Sequence, residues 1–167
     1  VEDAEQVASI AEGYDASDAY SRRNPNTAPV GFGQSLKLAV PDTLEFFGDA
    51  QNQAVYERAL LTLSKMGAEL TRIDFAPFKA LAEQLYYGSW VAERTVALES
   101  MLEANPDAIN PVVRGIVENG LGYSACDAYK AEYLRATLSR QINDALAGFD
   151  ALVVPTSATL RTLAEMA

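Results

Sequence analysis

The chain has 167 residues, of which 49% are apolar and 22% charged, a composition typical of one globular domain. Its 23 Asp and Glu residues outnumber its 13 Lys and Arg residues, which gives a formal net charge of -10 at pH 7. Phosphate groups are repelled by that sign of charge, so we expect neither nucleic acid nor an anionic membrane as a partner. The apolar stretches are shorter than the roughly 20 residues of a membrane span, which favours a soluble, cytoplasmic protein.

Two residue types that supply much of enzyme chemistry are scarce. The chain has no histidine, and Cys126 is its single cysteine. One cysteine cannot form an internal disulfide or complete a structural zinc site, so we expect Cys126 to be a buried, unreactive thiol. Without histidine there is no Ser-His-Asp triad and no Cys-His pair. Any chemistry must therefore use Ser, Lys, Tyr or carboxylates, and no metal or cofactor is indicated.

The chain begins with a predicted helix and a connector. Helical spacing of apolar residues over residues 2–12 predicts the helix, and Gly13 is expected to end it. Residues 14–33 are rich in Asp, Asn, Arg and Pro, a composition that favours turns. We interpret this stretch as an ordered connector.

A strand, a helix and a second strand follow the connector. Residues 36–40 are an apolar run, and residues 52–66 place apolar side chains on one helical face that ends at Gly67. Residues 69–75 are rich in β-branched and aromatic residues, which favours a strand. This order over about 40 residues predicts a βαβ crossover with two parallel strands.

The middle of the chain is predicted to be helical. A long helix over residues 78–103 is expected to bend at Gly88-Ser89. Pro111 is expected to open the next helix, and Ser124 to cap a further helix that runs to about residue 147.

A third strand is predicted near the end of the chain. Residues 150–154 are an unbroken apolar run, which is typical of a strand buried on both faces of a parallel sheet. Three strands separated by helices predict an α/β fold with a mostly parallel or mixed sheet and helical cover. The long gap between the second and third strands predicts a helical insertion.

One stripe of the long predicted helix carries side chains suited to binding an anion. Tyr86, Trp90 and Arg94 stand at positions i, i+4 and i+8. An Arg guanidinium binds a carboxylate through two parallel hydrogen bonds, and a Tyr hydroxyl can hold a neighbouring oxygen or amide. The alternative is structural, with Arg94 stacked on Trp90 as a cation–π pair. The spacing alone leaves both interpretations open.

Several stretches, taken in order, resemble the later part of the amidase-signature enzymes. They are GYDASDAYSR from Gly13, LAVP from Leu38, GAEL from Gly67, YYGSWVAER from Tyr86 and DALVVPT from Asp150. The connector is shared across that family. The YYGSWVAER stretch, together with the residues from Pro155 to Glu165, resembles the allophanate hydrolase branch.

The resemblance implies a Ser-Ser-Lys mechanism, which needs no histidine. It implies that Tyr86 and Arg94 bind the substrate, allophanate, whose terminal amide is hydrolysed to release ammonia and then carbon dioxide. Allophanate is an intermediate of urea and cyanuric acid breakdown, and no cofactor is implied. Ala158 and Arg161 depart from the family, which often has Pro and Tyr there, so the contacts of the loop after the last strand stay open.

The catalytic part of such an enzyme is not recognisable in this chain. No GGSSGGS run occurs, and the family's order places it before Val1. We therefore assign no catalytic residue and interpret residues 1–167 as a single partial domain, inactive by itself, whose partners are allophanate and the remainder of the amidase domain. Uncovered sheet edges favour association, for example as a homodimer. Another amidase-signature amidohydrolase, of malonamidase or amidotransferase-subunit type, and a non-catalytic interaction domain stay open as alternatives.

Overall fold

A computed structural model describes residues 1–23 and 35–166. Residues 1–23 belong to one compact unit and residues 35–166 to a second. In the first unit, helix α1 spans Glu2–Ala11, which confirms the predicted helix, and all of its residues are exposed. The described part of the connector contains turns in which Asp15 accepts a hydrogen bond from the backbone N–H of Ser17 at 2.8 Å. The rest of the predicted connector, residues 24–33, lies outside the described residues.

The second unit alternates strands and helices around a small sheet. Two short 3-10 turns, Pro106–Ala108 and Asn119–Gly122, flank its helix at Pro111–Glu118. The remaining elements are β1 (Lys37–Pro41), α2 (Ala50–Lys65), β2 (Glu69–Ile73), α3 (Ala76–Tyr87), α4 (Val91–Ala104), α5 (Pro111–Glu118), α6 (Ala125–Leu146), β3 (Ala151–Leu152) and α7 (Leu163–Met166).

The sheet is parallel, and its strand order is β2-β1-β3. Leu38 of β1 lies opposite Leu70 of β2 on one side and opposite Ala151 of β3 on the other. The predicted βαβ crossover is thereby confirmed, with α2 as its helix. Gly67 ends α2 with a φ of 96°, a conformation that glycine adopts without steric cost, and the chain then enters β2. The α/β expectation is confirmed, and the insertion before β3 consists of helices α3 to α6.

The strand buried on both faces is β1 rather than β3. Leu38, Ala39 and Val40 are only 5%, 0% and 2% exposed. β3 is shorter than predicted, and its Ala151 is exposed, so the expectation of a doubly buried strand over residues 150–154 is wrong. The physical reason is position: β1 lies between two strands, whereas β3 pairs with β1 alone in the described part of the sheet.

The core of the second unit lies where α2 packs against β1. Val40, Phe46, Tyr56 and Leu60 form a buried cluster. The Tyr56 hydroxyl donates a hydrogen bond to the carbonyl oxygen of Val153 at 2.9 Å, so α2 also holds the segment that follows β3. Burial raises the pKa of Tyr56 above its ordinary value of 10.0, because the phenolate would lose solvation there.

The predicted long helix over residues 78–103 is two helices. α3 ends at Tyr87 and α4 begins at Val91, so the chain breaks at Gly88-Ser89 rather than bending within one continuous helix. The backbone at Gly88 is extended, with φ -110° and ψ 178°, which ends the hydrogen-bond ladder of α3. Gly88 and Ser89 are both buried, so the break is enclosed by its neighbours.

The caps of the later helices agree with the sequence. Pro111 is the first residue of α5, as predicted. Ser124 caps α6 through a reciprocal pair in which the Ser124 hydroxyl accepts from the Asp127 N–H and the Asp127 carboxylate accepts from the Ser124 N–H. α6 has 22 residues, but neither it nor any other helix in the described ranges is apolar enough to span a membrane.

Cys126 does not lie in the core. It is exposed in the first turn of α6, so the expectation of a buried thiol is wrong. The residues of α6 that are buried are Ala131 and Leu138, which lie further along the helix. Residue type alone favours burial of cysteine, but the face of the helix on which it stands decides its environment.

Candidate functional site

Tyr86 and Arg94 lie together across the junction between α3 and α4. Tyr86 is in the last turn of α3, and Arg94 is in the first turn of α4. The Arg94 guanidinium carbon lies over the Tyr86 ring, 5.4 Å from its centroid, which is within cation–π range. In an unbroken helix, eight residues would separate their backbones by about 12 Å, so the break brings the two side chains together.

Glycine is required at the junction because the chain passes too close to α3 for a side chain. A Cβ atom on Gly88 would lie 2.7 Å from the carbonyl oxygen of Gln84. That oxygen already accepts a hydrogen bond from the Gly88 N–H at 3.2 Å. This hydrogen bond closes the last turn of α3, and the close approach leaves no room for a side chain at position 88.

Trp90 does not stack under Arg94. Its side chain is half-buried and lines a groove of about 560 Å³ between α3 and α6, together with Phe78, Leu85 and Ile142. The structural alternative for Arg94, a cation–π pair with Trp90, is thus replaced by a pair with Tyr86. Trp90 instead contributes apolar surface between the helices.

The described contact of the Arg94 guanidinium is with the Tyr86 ring rather than with a carboxylate. None of the ion pairs among residues 1–23 and 35–166 involves Arg94, although Arg114, Arg135 and Arg140 are each paired with carboxylates. Stacking on an aromatic face leaves the N–H groups at the edge of the guanidinium able to donate to a carboxylate. Tyr86 is 63% exposed, whereas Arg94 is half-buried.

A second cluster of polar contacts joins the N-terminus of α2 to the loop after β3. The Asn52 side-chain amide donates to the carbonyl oxygens of Ser157 and Ala158, at 2.7 and 2.9 Å. The Asp49 carboxylate accepts from the backbone N–H groups of Asn52 and Leu160, at 2.9 and 3.0 Å. These hydrogen bonds hold the pKa of Asp49 below its ordinary value, with the Asn52 contact contributing most.

The two positions that depart from the family pattern lie in or beside this loop. Ala158 is half-buried, and its carbonyl oxygen rather than its side chain makes the described contact. Arg161 is exposed and lines a cavity of about 480 Å³ with Phe47 and Glu165. The loop is therefore held through backbone groups, which do not depend on the side chain at position 158.

The sequence interpretation missed Asp49 and Asn52. It began the helix near residue 52, whereas α2 begins at Ala50 with Asp49 as its N-cap. Asp is a preferred N-cap residue, so an Asp directly before an amphipathic run was an available signal for the cap. Asp49 also accepts a hydrogen bond from the Leu160 N–H. Because the two residues are far apart in the sequence, no local pattern predicts this contact.

The described residues contain no cluster of side chains suited to a metal ion. Residues 1–23 and 35–166 contain no group of three or more Cys, Asp or Glu side chains placed to hold a metal ion. The feature that they do contain at the junction is a guanidinium stacked on the ring of a largely exposed tyrosine.

Comparison with models of protein families shows the family to which the chain belongs. A model described as Amidase matches residues 1–167. The chain belongs to the amidase family. Among curated amidase relatives, the urea amidolyase of Saccharomyces cerevisiae is 33% identical over 153 residues, an alignment that covers 90% of this chain and 8% of that protein.

Solved structures of the family share the fold. The selenomethionine-substituted allophanate hydrolase of Kluyveromyces lactis matches with a TM-score of 0.92 and 33% identity, covering 98% of this chain and 27% of that one. The K. lactis urea amidolyase matches with a TM-score of 0.92, covering 98% of this chain and 10% of that one. This amidase-family chain therefore spans about a quarter or less of the length of these relatives and has the fold of the corresponding part of allophanate hydrolase.

Proposed function

We propose that the chain is the substrate-recognition portion of an allophanate hydrolase, in which Tyr86 and Arg94 bind the substrate. The observation that carries the proposal is the placement of the Arg94 guanidinium over the Tyr86 ring, 5.4 Å from its centroid, with both residues on the junction between α3 and α4. Similarity to urea amidolyase and to allophanate hydrolase supports the choice of substrate.

Allophanate suits this pair because it carries a carboxylate at one end and an amide at the other. Arg94 binds the carboxylate through two parallel N–H···O hydrogen bonds, and the Tyr86 hydroxyl donates to a neighbouring oxygen. Water then hydrolyses the terminal amide, ammonia leaves, and the remaining dicarboxylate loses carbon dioxide. This reaction serves the breakdown of urea or cyanuric acid. It takes place in the cytoplasm.

The nucleophile and its base come from the remainder of the enzyme. We propose that residues 1–167 are one portion of a single amidase domain, and we call the complete enzyme that carries them the parent enzyme. The Tyr86–Arg94 pair alone can bind but cannot cleave, since hydrogen-bonding Tyr and Arg side chains do not supply an activated nucleophile. Purified protein consisting of residues 1–167 is expected to release no ammonia from allophanate above background, and measured release would contradict this.

We also expect the isolated chain to be marginally stable or to associate, with a homodimer as one form. β2 and β3 each pair with β1 alone among the described strands, so each leaves a row of backbone groups without a strand partner. Sedimentation and unfolding measured over a range of concentrations test this expectation. A sharp unfolding transition of a monomer that does not depend on concentration would contradict it.

Substitution of Arg94 in the parent enzyme tests the binding role. Arg94→Lys keeps the positive charge but loses the pair of parallel hydrogen bonds. We expect kcat/KM for allophanate to fall roughly 30-fold, which corresponds to a loss of about 2 kcal/mol of transition-state stabilisation. Tyr86→Phe removes one hydroxyl and is expected to cost about 1 kcal/mol. Arg140→Lys is the matched control, because Arg140 is an exposed residue of α6.

A substrate that lacks the carboxylate distinguishes a substrate-binding role of Arg94 from a purely structural one. Biuret has a neutral amide where allophanate has its carboxylate, so the preference of the parent enzyme for allophanate over biuret should shrink in Arg94→Lys. A purely structural cation–π pair predicts instead a slightly lower melting temperature and unchanged kinetics. An Arg94→Lys enzyme with unchanged kcat/KM for allophanate would refute the proposed role.

A further inference from the structure

One segment contacts both sides of the junction that carries Tyr86 and Arg94. Residues 117–127, which we call the α5–α6 connection, run from the end of α5 through the 3-10 turn to the first turn of α6. On the α4 side, the buried Thr95 hydroxyl donates to the carbonyl oxygen of Val117 at 2.6 Å. Thr95 directly follows Arg94, so this hydrogen bond holds the turn of α4 from which Arg94 projects.

On the α3 side, the contact is made by Tyr123. Its hydroxyl donates to the backbone carbonyl oxygen of Tyr87 at 3.1 Å. The last carbonyl groups of a helix have no partner within the helix, so a side-chain donor there holds the final turn in place. That turn carries Tyr86 next to Tyr87. The described hydrogen bond of the Tyr123 hydroxyl is this backbone contact.

The junction between the two helices is held by the same connection. Ser89 is buried, and its hydroxyl donates to the carbonyl oxygen of Asp127 at 3.3 Å. The α5–α6 connection thus contacts the end of α3, the junction and the start of α4 through three separate hydrogen bonds. We therefore expect a substitution at one of these contacts to shift Tyr86 or Arg94 without removing either.

We propose that Tyr123 is a positioning residue for substrate binding: it sets the place of Tyr86 relative to Arg94 through its hydrogen bond to Tyr87. This inference rests on the proposed function of Tyr86 and Arg94. Because the pair binds the carboxylate end of allophanate, away from the amide that is cleaved, displacement of Tyr86 weakens binding in the ground state and in the transition state alike. Loss of the Tyr123 hydroxyl therefore raises KM.

The test is Tyr123→Phe in the parent enzyme, with Tyr133→Phe as control. Tyr133 lies on α6 and is 70% exposed, so its loss of a hydroxyl leaves the junction untouched. We expect Tyr123→Phe to raise KM for allophanate by about three- to tenfold, as for one hydrogen bond, with kcat within about twofold of the wild type. The control is expected to keep both constants.

A double variant shows whether Tyr123 acts through Tyr86. In Tyr123→Phe/Tyr86→Phe, the rise in KM should be smaller than the product of the two single effects. The reason is that a displaced Tyr86 hydroxyl contributes less to binding, so its removal costs less. Effects that multiply fully, or a fall in kcat with KM unchanged, would overturn the positioning role. Unchanged KM in Tyr123→Phe would also overturn it.

The variants at the binding pair separate failure of this inference from failure of the proposed function. If Arg94→Lys and Tyr86→Phe lower kcat/KM while Tyr123→Phe behaves as the Tyr133→Phe control, only the positioning role is refuted. If Arg94→Lys and Tyr86→Phe leave kcat/KM unchanged, the proposed binding site is refuted and the positioning role with it.

Discussion

Gly120→Ala is predicted to displace α4 and with it Arg94. Gly120 is buried in the 3-10 turn, where a Cβ atom would collide with the Thr95 hydroxyl and lie 2.8 Å from the Ala92 Cα atom. Thr95 can rotate away, but Ala92 contributes backbone, which cannot. The added methyl group therefore forces the turn and the first part of α4 apart.

The size of the effect follows from these distances. Carbon atoms pack favourably at about 3.5 Å or more, so a contact of 2.8 Å demands a separation of about 0.7 Å between the turn and α4. Rotation of Thr95 breaks its hydrogen bond to Val117, at a cost of about 1 kcal/mol. Overpacking adds about 1–3 kcal/mol, so the predicted loss of stability is about 2–4 kcal/mol.

Gly122→Ala provides the matched control. Gly122 lies in the same 3-10 turn, but a Cβ atom there would meet no heavy atom within 4 Å. Both substitutions replace glycine by alanine and reduce the entropy of the unfolded chain alike. The difference in stability between the two variants therefore reports the effect of the contact with α4. Melting curves and steady-state kinetics of the parent enzyme measure that difference.

We expect Gly120→Ala to lower both the melting temperature and kcat/KM, and Gly122→Ala to change neither appreciably. A displacement approaching 1 Å at a residue that positions substrate lowers kcat/KM by about tenfold or more. Equal melting temperatures and equal kcat/KM for allophanate in Gly120→Ala and Gly122→Ala would refute the close packing of α4 on the 3-10 turn.

Three further predictions concern contacts outside the binding pair. Tyr56→Phe removes the hydrogen bond to Val153 and is expected to lower the free energy of unfolding by about 1 kcal/mol; an unchanged denaturation midpoint would contradict this. Hydrogen bonds lower the pKa of Asp49, so its charged form stabilises the fold above the ordinary value of 3.8 and this stabilisation is lost as pH falls through the lower folded-state pKa. Asp49→Asn should therefore lower the melting temperature at pH 7, and its difference from the wild type should shrink below pH 3.8; a difference independent of pH would oppose that reasoning. Ser124→Ala breaks the cap of α6 and should cost about 1 kcal/mol in chemical denaturation, and equal stability would show that the cap contributes nothing.

Features that depend on near neighbours in the chain were predictable from the sequence. Ser124 as a cap, Pro111 as the first residue of a helix and Gly67 as a helix end all follow from backbone groups that find their partners within a few residues. The βαβ crossover follows from the change of apolar spacing between strand and helix. The resemblance to amidase-signature enzymes was also readable from short stretches taken in order, and the match over residues 1–167 confirms the family.

Only the tertiary structure decided burial and the meeting of distant residues. Cys126 is exposed and β1 rather than β3 is doubly buried, because burial depends on what packs against an element and not on its own composition. The contact of Arg94 with Tyr86 spans the break at Gly88, where the extended backbone ends α3 and where only glycine fits against the previous turn. The hydrogen bond from Tyr123 to Tyr87 joins residues 36 apart, a separation at which spacing in the sequence carries no information about distance in space.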